Sequence, residues 1–309
     1  MLNANQPSLQ LIAKGIHVWI GINGNSNAGV IETAEGLVAI DAQQTARLGI
    51  QFRSKTESAL KRPIMRLVNT HFHLDHTAGN VAFAGVPVLA HERTLSIMTD
   101  YLGPPDNGTW NISALAPKLQ LFFGSNFASL VASGTEGERW FIDRMTAPDN
   151  ETIVLRPPTE TFADSFCFEA PADRVRMEYW GPAHSDGDLV IWLENAKVAF
   201  LGDLMFHGRF PWLGDCNLDG WIEQLGRFLL LDIEIVVPGH GPVTTMKEVA
   251  DFRSLLMALR TAVNVALRNG LSEEAASREV DLVEFRSMPR YREWMPYNVR
   301  AVYQYLKSL

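Results

Sequence analysis

The sequence predicts a single α/β domain that spans residues 1–309. Short β-rich runs broken by Gly, Asn and Ser fill the first 45 residues, and a second set of β-rich runs lies between residues 161 and 203. Each set leads to a strand that opens into a polar loop, and helix-like sequence follows. No Pro- or Ser-rich linker separates the two halves, so we predict one domain rather than two.

The first half contains strands, one helix and an insertion. The runs LIAKGIHVWI, AGVIET and LVAID predict strands, and residues 45–60 predict a helix that ends before Arg62-Pro63. IMRLVNT predicts a strand that leads directly into the polar segment HFHLDHTAGN, and residues 84–91 predict another strand. Residues 92–150 carry scattered aromatic residues without alternation, which predicts a partly helical, lid-like insertion.

The second half repeats this order. TFADSFCFEA, RVRMEYWG, LVIWLE and KVAFLGD predict strands, and residues 219–230 predict a helix. IEIVVPGHG again predicts a strand followed by a loop. Residues 245–309 predict C-terminal helices, interrupted near Ser287–Pro296. After this interruption, the helical spacing of Tyr297 and the residues that follow it predicts core packing or a subunit contact.

Composition excludes several classes of function. The chain is 47% hydrophobic and 20% charged, with a formal net charge of -8, which argues against nucleic-acid binding and against a polybasic membrane anchor. No apolar run approaches the roughly 18–20 residues that span a bilayer. The first residues lack a basic stretch followed by an apolar one, and Cys167 and Cys216 are too few for a disulfide scaffold. We therefore expect a cytoplasmic protein.

Four residues within one short segment carry the strongest chemical signal. His71, His73, Asp75 and His76 form the pattern H-x-H-x-D-H directly after a predicted strand. In an extended backbone, His71 and His73 point the same way, whereas the adjacent Asp75 and His76 diverge and can serve a second centre. Imidazole and carboxylate groups are ligands that zinc accepts. The segment therefore predicts a metal centre.

Three later fragments add one ligand-type residue each. GPAHSDGD carries His184, VAFLGD ends in Asp203, and IVVPGHG carries His240. A single His at a strand end is more often structural. Together, however, the fragments raise the number of candidate ligands to seven, at four exits from strands, which predicts one shared site at the edge of a sheet.

With these motifs in this order, residues 10–245 resemble the metallo-β-lactamase-fold hydrolase superfamily. The resemblance implies a four-layer αββα sandwich with a dinuclear site, decorated by the helical insertion and the C-terminal helices. Carried over motif by motif, the resemblance implies that His71, His73 and His184 hold a first metal ion. It implies that Asp75, His76 and His240 hold a second one, and that Asp203 bridges the two.

The bridging carboxylate refines this resemblance. With Asp at position 203 the sequence resembles the glyoxalase-II and lactonase branch, whereas β-lactamases of this fold usually have Cys or Ser at that position. The stretch GDLMFHGRFPWLGD loosely resembles the quinoprotein-associated zinc metallohydrolases. The resemblance implies two zinc ions per chain, although iron or manganese also suits these ligands.

The predicted activity is hydrolysis of a small carbonyl substrate, either an ester, a lactone, a thioester or an amide. A hydroxide that bridges the metals would attack the carbonyl, with Asp75 and Asp203 as catalytic carboxylates. Three alternatives stay open: β-lactam hydrolysis, phosphodiester or sulfate-ester hydrolysis on the same metals, and a non-catalytic, metal-stabilised binding protein. We expect a small-molecule substrate and no nucleic-acid or membrane partner, and the oligomeric state is open.

Other residues near the motifs carry weaker predictions. Asp41, which ends LVAID, either orients a ligand or caps a turn. His17 and His91 lie outside the motifs and are predicted to be structural. Arg209 pairs either with a substrate carboxylate or with an internal acid. Four residues follow the bridging Asp closely enough to reach the rim of a pocket and bind substrate: His207, Arg209, Phe210 and Trp212.

Overall fold

Two β-sheets pack face to face at the centre of the protein. In the computed structural model, the described residues are 8–22, 25–111, 154–171, 173–214 and 216–309. Their strands are, in chain order, β1 (Leu9–Ala13), β2 (Ile16–Trp19), β3 (Ala28–Glu32), β4 (Leu37–Ile40), β5 (Ile64–Val68), β6 (Val88–His91), β7 (Trp110–Asn111), β8 (Val154–Leu155), β9 (Glu160–Phe162), β10 (Ser165–Ala170), β11 (Asp173–Tyr179), β12 (Leu189–Leu193), β13 (Val198–Phe206) and β14 (Ile235–His240).

The first sheet has the strand order β1-β2-β3-β4-β5-β6-β9, and the second has the order β10-β11-β12-β13-β14. Each begins as an antiparallel meander and becomes parallel where a helix intervenes, at β4–β5 in the first sheet and at β13–β14 in the second. Two antiparallel strands, β7 and β8, form a separate ribbon. Parallel pairing needs a helical crossover, which is why the site-bearing strands β5 and β14 each follow a helix.

The helices lie on the outer faces of the two sheets. They are α1 (Ala46–Leu60), α2 (Leu74–Thr77), α3 (Glu92–Leu102), α4 (Leu218–Phe228), α5 (Met246–Arg268), α6 (Glu273–Glu279) and α7 (Tyr291–Ser308), with 3-10 turns at Ala78–Phe83 and Val283–Phe285. Thr45 begins α1 by accepting a hydrogen bond from the Leu48 amide, and Leu48, Phe52 and Thr56 form its buried stripe at a spacing of four residues.

Three hydrophobic clusters separate the four layers. Residues of both sheets, such as Val18 and Phe200, fill the space between the sheets. A second cluster, with Trp19 and Phe52, lies beneath α1, and the third, with Trp221, lies between the second sheet and the helices α4, α5 and α7. Because side chains alternate along a strand, each central strand feeds two clusters. The predicted αββα sandwich is confirmed.

The C-terminal helices are present, but their interruption differs from the prediction. Thr245 and Glu248 form a capping box that begins α5. The predicted break at Ser287–Pro296 is wrong at its C-terminal end, since α7 begins at Tyr291 and continues through Pro296. Packing of this helix against the core outweighs the loss of one backbone hydrogen bond at proline.

The predicted insertion is only partly described. Within residues 92–150, α3 accounts for the beginning, and residues 112–153 lie outside the described residues. The lid-like role of the insertion and the extent of a single domain over residues 1–309 therefore stay predictions. Among the described residues, no helix is long and apolar enough to cross a membrane.

Close approach of the two sheets requires the absence of a side chain at Gly29. A Cβ atom there would lie 2.4 Å from the ring of Phe200 on the opposite sheet. We expect Gly29→Ala to lower the free energy of unfolding by about 1–3 kcal/mol, measured by urea denaturation. Adding Phe200→Leu should recover part of this loss, because the contact involves the aromatic ring. Strictly additive effects of the two substitutions would contradict this account of the packing.

Candidate metal centre

The seven predicted ligands converge at one end of the sandwich. The segment from His71 to His76 follows β5, and His184 lies in the loop between β11 and β12. Asp203 lies within β13, and His240 is the last residue of β14. His73 precedes the short helix α2, whose turn sends the neighbouring side chains of Asp75 and His76 in different directions. Both sheets therefore contribute to one site.

The first ligand group consists of His71, His73, His184 and Asp203. The Nε2 atoms of His71 and His184 lie 3.9 and 3.5 Å from Oδ2 of Asp203. Nδ1 of His73 lies 3.0 Å from Nε2 of His184. All four residues offer a ligand atom within 4.8 Å of the others, a spacing that one cation could bind.

The second group consists of Asp75, His76, His240 and again Asp203. Here the other carboxylate oxygen, Oδ1 of Asp203, lies 3.1 Å from Nε2 of His76 and 3.4 Å from Nε2 of His240. Oδ2 of Asp75 lies 3.0 Å from Nε2 of His240. Asp203 therefore presents one oxygen to each group, which is the arrangement of a bridging carboxylate.

Two glycines make room for side chains of the site, Gly239 for Asp203 and Gly202 for Thr70. A Cβ atom at Gly239 would lie 1.9 Å from Oδ1 of Asp203, and one at Gly202 would lie 2.5 Å from Oγ1 of Thr70. Gly202 also has a φ of 50°, in the left-handed region that favours glycine. The backbone of β13 and β14 is thus shaped around these two side chains.

The donor atoms of the two groups fit cations. Nε2 of His71 is buried and makes no hydrogen bond with any residue that the structure describes, and it lies 3.9 Å from Oδ2 of Asp203. Buried polar atoms are seldom left without a partner, so this nitrogen and the carboxylate oxygen that it faces call for a positive charge between them. Imidazole and carboxylate donors in sets of four suit divalent metal ions such as zinc.

Asp41 orients two of the histidines. Its carboxylate accepts hydrogen bonds from the Thr70 amide and hydroxyl, at 2.8 Å each, and lies 2.7 Å from Nδ1 of His76. Since the Thr70 hydroxyl donates to Asp41, it accepts from Nδ1 of His71 at 3.0 Å. Both histidines therefore turn Nε2 toward the site. Asp41 also has a φ of 60°, a conformation uncommon for Asp.

The electrostatics of the site favour positive charge at His76, which three carboxylates surround. Burial works to lower the pKa of His76, but Asp203, Asp41 and Asp75 outweigh it and raise that pKa well above its usual value. Burial works to raise the pKa of Asp203, yet His240 and His76 outweigh it and hold that pKa well below its usual value. In contrast, burial and the neighbouring His76 lower the pKa of His71, which keeps it neutral.

The site opens to solvent at one side. The side chain of Asp75 is 25% exposed, whereas that of Asp203 is 4% exposed. His73 is also partly exposed, while the four remaining histidine ligands are buried. A substrate can therefore approach the ligands from the side of His73 and Asp75.

Two polar residues that precede β3, Ser26 and Asn27, connect the first sheet to two segments that carry ligands. The hydroxyl of Ser26 donates to the backbone carbonyl of Asp75. The amide of Asn27 donates to the carbonyls of Pro238 and Gly241, at 2.8 and 2.7 Å, on both sides of His240. These bonds fix the H-x-H-x-D-H segment and the end of β14 relative to each other.

The predicted substrate-binding residues occupy different environments. His207 lies partly exposed, with Nδ1 at 3.0 Å from the Pro242 carbonyl. Arg209 places Nη1 at 3.1 Å from Nδ1 of His240, and burial lowers its pKa to about 10, so it keeps its charge at neutral pH. Trp212 lies partly exposed against α7.

Phe210 differs from the other three. Its ring is fully buried in the core and packs edge-on against Tyr291, with ring centres 4.8 Å apart. It therefore offers no surface to a substrate in this structure, because the C-terminal helices cover it. Phe210 is therefore not part of the proposed substrate site.

The two histidines predicted to be structural lie away from the ligands. Nε2 of His17 pairs with Glu32 at 2.9 Å. His91 caps α3, contacts the Ala163 carbonyl through Nε2, and stacks on Tyr179 at 3.8 Å between ring centres. Both placements agree with a structural role.

Sequence reasoning missed several residues that shape the site. Thr70, Ser26 and Asn27 carry no metal-ligand chemistry, and their contacts span long stretches of chain. Thr70 directly precedes His71 at a strand end, which is a signal that was available. Gly202 and Gly239 each adjoin a predicted ligand, so glycine beside a ligand was a second signal.

Comparison with known proteins identifies the family. A sequence model of the Metallo-beta-lactamase superfamily matches residues 21–240. The chain therefore belongs to the metallo-beta-lactamase superfamily. This membership confirms the predicted resemblance and the prediction of a metal-dependent hydrolase, while the substrate and the identity of the metal stay predictions.

Individual relatives are distant. The chain is 25% identical over 272 residues to the 2,4-dinitroanisole O-demethylase subunit alpha of a Nocardioides species, covering 84% of this chain and 68% of that subunit. It is 24% identical over 229 residues to the Homo sapiens acyl-coenzyme A thioesterase MBLAC2, covering 72% of each. The structure of the sec-alkylsulfatase Pisa1 from Pseudomonas superposes with a TM-score of 0.69 at 18% identity, covering 97% of this chain and 50% of that one. The last likeness shows the fold alone.

Asp41 and Thr70 offer a test of ligand orientation. In Asp41→Asn, one carboxylate oxygen becomes a donor, so at least one of three donors loses its acceptor. We expect zinc affinity to fall by about 10–100-fold, measured by competition with a chromophoric chelator. Thr70→Val, the matched control, should weaken binding less, because it leaves the contact between Asp41 and His76. Unchanged zinc affinity in Asp41→Asn would contradict this role.

Asp188 offers a test by pH. Burial raises its pKa to about 7 from an ordinary value of 3.8, although hydrogen bonds from the Ser185 amide and hydroxyl work to lower it. The folded state therefore retains a proton that the unfolded state releases, so stability falls as pH rises between these two values. We expect Asp188→Asn to gain stability relative to the unsubstituted protein from about pH 5 to about pH 8, in urea denaturation of chelator-stripped samples. A pH-independent difference would refute this prediction.

Proposed function

We propose that this protein is a dinuclear zinc hydrolase that cleaves a small carbonyl substrate, either an ester, a lactone, a thioester or an amide. The observation that carries the proposal is the position of Asp203, which presents one carboxylate oxygen to each of two ligand groups. Two divalent ions bound by these residues would supply a nucleophile at neutral pH and would polarise the bond under attack.

The residues of the chain would have distinct roles. His71, His73 and His184 would hold one ion, Asp75, His76 and His240 the other, and Asp203 both. Asp41 and Thr70 would keep the imidazoles in the required orientation. Asp75, the more exposed of the two ligand carboxylates, would face the substrate. Burial works to raise the pKa of Asp75, but His76 and His240 outweigh it and hold that pKa well below its usual value, so Asp75 would take up a proton only while passing it to the leaving group.

The carbonyl substrate is supported by the donor set and by one relative. With Asp at position 203 the chain resembles the glyoxalase-II and lactonase branch, and it is similar to an acyl-coenzyme A thioesterase. A thioester is a carbonyl substrate with a good leaving group, and the four bond types share the same tetrahedral chemistry.

Sulfate-ester hydrolysis is the second candidate. The sec-alkylsulfatase Pisa1 matches nearly all of this chain in fold, although this chain spans half of that protein. A sulfate ester would bind at the same two ligand groups. β-Lactam hydrolysis, phosphodiester hydrolysis and a non-catalytic, metal-stabilised binding role are the remaining alternatives, and each predicts a different outcome of the test below.

The test is a panel of initial rates with zinc-loaded and chelator-stripped protein. The panel contains an aryl ester, an aliphatic lactone, a glutathione thioester, an aryl amide, a β-lactam, a phosphodiester and an alkyl sulfate. We expect zinc-dependent turnover of a carbonyl substrate, and a loss of about 10³-fold or more in Asp203→Ala. Asp251→Ala, on the exposed side of α5, is the matched control and should keep its rate.

Each of the other outcomes of this panel supports a different conclusion. Faster turnover of the alkyl sulfate, the β-lactam or the phosphodiester would replace the carbonyl proposal by that activity. Tight zinc binding without turnover of any substrate would favour the binding protein. Undiminished turnover in Asp203→Ala would exclude the dinuclear arrangement. The use of zinc rather than iron or manganese and the cytoplasmic location stay predictions, and the oligomeric state stays open. Metal analysis of protein purified from its source, cell fractionation and sedimentation are the respective direct measurements.

A further inference from the structure

Three partly buried aromatic side chains lie one arginine side chain away from the second ligand group, and only Trp212 among them was predicted to bind substrate. They are Trp212, in the loop after β13, and Trp294 and Tyr297, in α7. The centre of the Trp212 ring lies 5.8 Å from that of Trp294 and 6.2 Å from that of Tyr297. We refer to these three residues as the aromatic cluster.

Arg209 connects the aromatic cluster to the ligands. Its guanidinium carbon lies 4.5 Å from the centre of the Trp294 ring, and its Nη1 atom lies 3.1 Å from Nδ1 of His240. The cluster is therefore one arginine side chain away from a ligand of the second group.

The cluster is held in place by α7. Asn298 is fully buried, accepts a hydrogen bond from the Leu213 amide at 3.0 Å, and donates one to the Pro211 carbonyl at 2.7 Å. One side chain thus holds the backbone on both sides of Trp212. A Cβ atom at Gly214 would lie 2.6 Å from Nε1 of Trp212, so the indole lies closely over this glycine. The rings are fixed before any ligand arrives.

The exposure of these rings sets them apart from the core. Tyr291, one turn before Trp294 on α7, is 4% exposed, and Phe210 is fully buried. Trp294 and Tyr297, three residues apart and hence neighbours on one face, stay partly exposed together with Trp212. Rigid aromatic faces with exposed area are effective at binding flat apolar groups.

We propose that the aromatic cluster is a substrate subsite that receives an aryl group attached to the scissile carbonyl. The inference rests on the proposed function and names the substrate class within it. The ligand groups would hold the carbonyl, Arg209 would form the boundary between them and the cluster, and the aryl ring would pack against Trp294 and Trp212. Esters with a methyl group in place of the ring would lose this contact.

The first test measures binding without catalysis. Phenylacetate and acetate, neither of which is a substrate for hydrolysis, are titrated into zinc-loaded protein by isothermal titration calorimetry. We expect phenylacetate to bind at least about tenfold more tightly than acetate, and Trp294→Leu to remove that difference. The matched control is Trp180→Leu. Trp180 is also partly buried, with the Arg227 guanidinium 3.9 Å from its ring centre and Trp192 at 6.1 Å, but it contacts none of the ligands. Equal affinities for the two acids, or an unchanged difference in Trp294→Leu, overturns the subsite.

The second test measures discrimination during turnover. For a phenylacetate ester and an acetate ester of the same alcohol, we expect the ratio of kcat/KM values to fall about tenfold in Trp294→Leu, mainly through KM for the phenylacetate ester. Gly214→Ala should shift the ratio in the same direction, because its Cβ displaces the Trp212 indole without removing an aromatic ring. If Trp294→Leu fails to fold, Gly214→Ala alone tests the subsite.

The two tests separate the subsite from the proposed function. No turnover of either ester by the unsubstituted protein would count against carbonyl hydrolysis, while the binding measurement would still report on the aromatic cluster. Equal losses for both esters in Gly214→Ala and Trp294→Leu would instead show that the rings only support the fold, which overturns the subsite.

Discussion

A buried carboxylate between two sets of imidazoles is the constraint on which the rest of the site depends. Asp203 is almost fully buried, and four imidazole Nε2 atoms lie within 3.9 Å of its oxygens. A carboxylate in such a position is costly unless positive charge compensates it. The side chains absent at Gly239 and Gly202, the hydrogen bonds of Asp41 and the polar residues before β3 all serve to hold this arrangement.

The site also joins the two halves of the chain. The H-x-H-x-D-H segment comes from the first sheet, whereas His184, Asp203 and His240 come from the second. Neither half has a complete ligand group without the other, since Asp203 belongs to both groups. Cation binding would therefore stabilise the packing of one sheet on the other, and folding and binding would be coupled. Asn27, which connects β3 to both sides of His240, is part of the same connection.

The C-terminal helices do more than cover the second sheet. Asn298 of α7 holds the loop that follows β13, and the Phe210 amide donates to the Pro289 carbonyl at 2.9 Å. This loop carries Arg209, which reaches His240, so the last helix of the chain influences the surroundings of the second ligand group. The contacts from Asn298 to this loop and from Arg209 to His240 are fixed by packing, so the loop is a rigid part of the site.

The sequence by itself determined the family, the candidate ligands and most of the elements. Strands, helices and ligands were predictable because alternation, helical spacing and residue type are local properties, and because ligands at strand exits are close to the strands that position them. Only the tertiary structure decided which oxygen of Asp203 faces which group, that Phe210 is core, that α7 continues through Pro296, and that Trp294 approaches Arg209. These features depend on packing between residues far apart in the chain, and packing is set by the shape of the neighbouring elements, which no local pattern records.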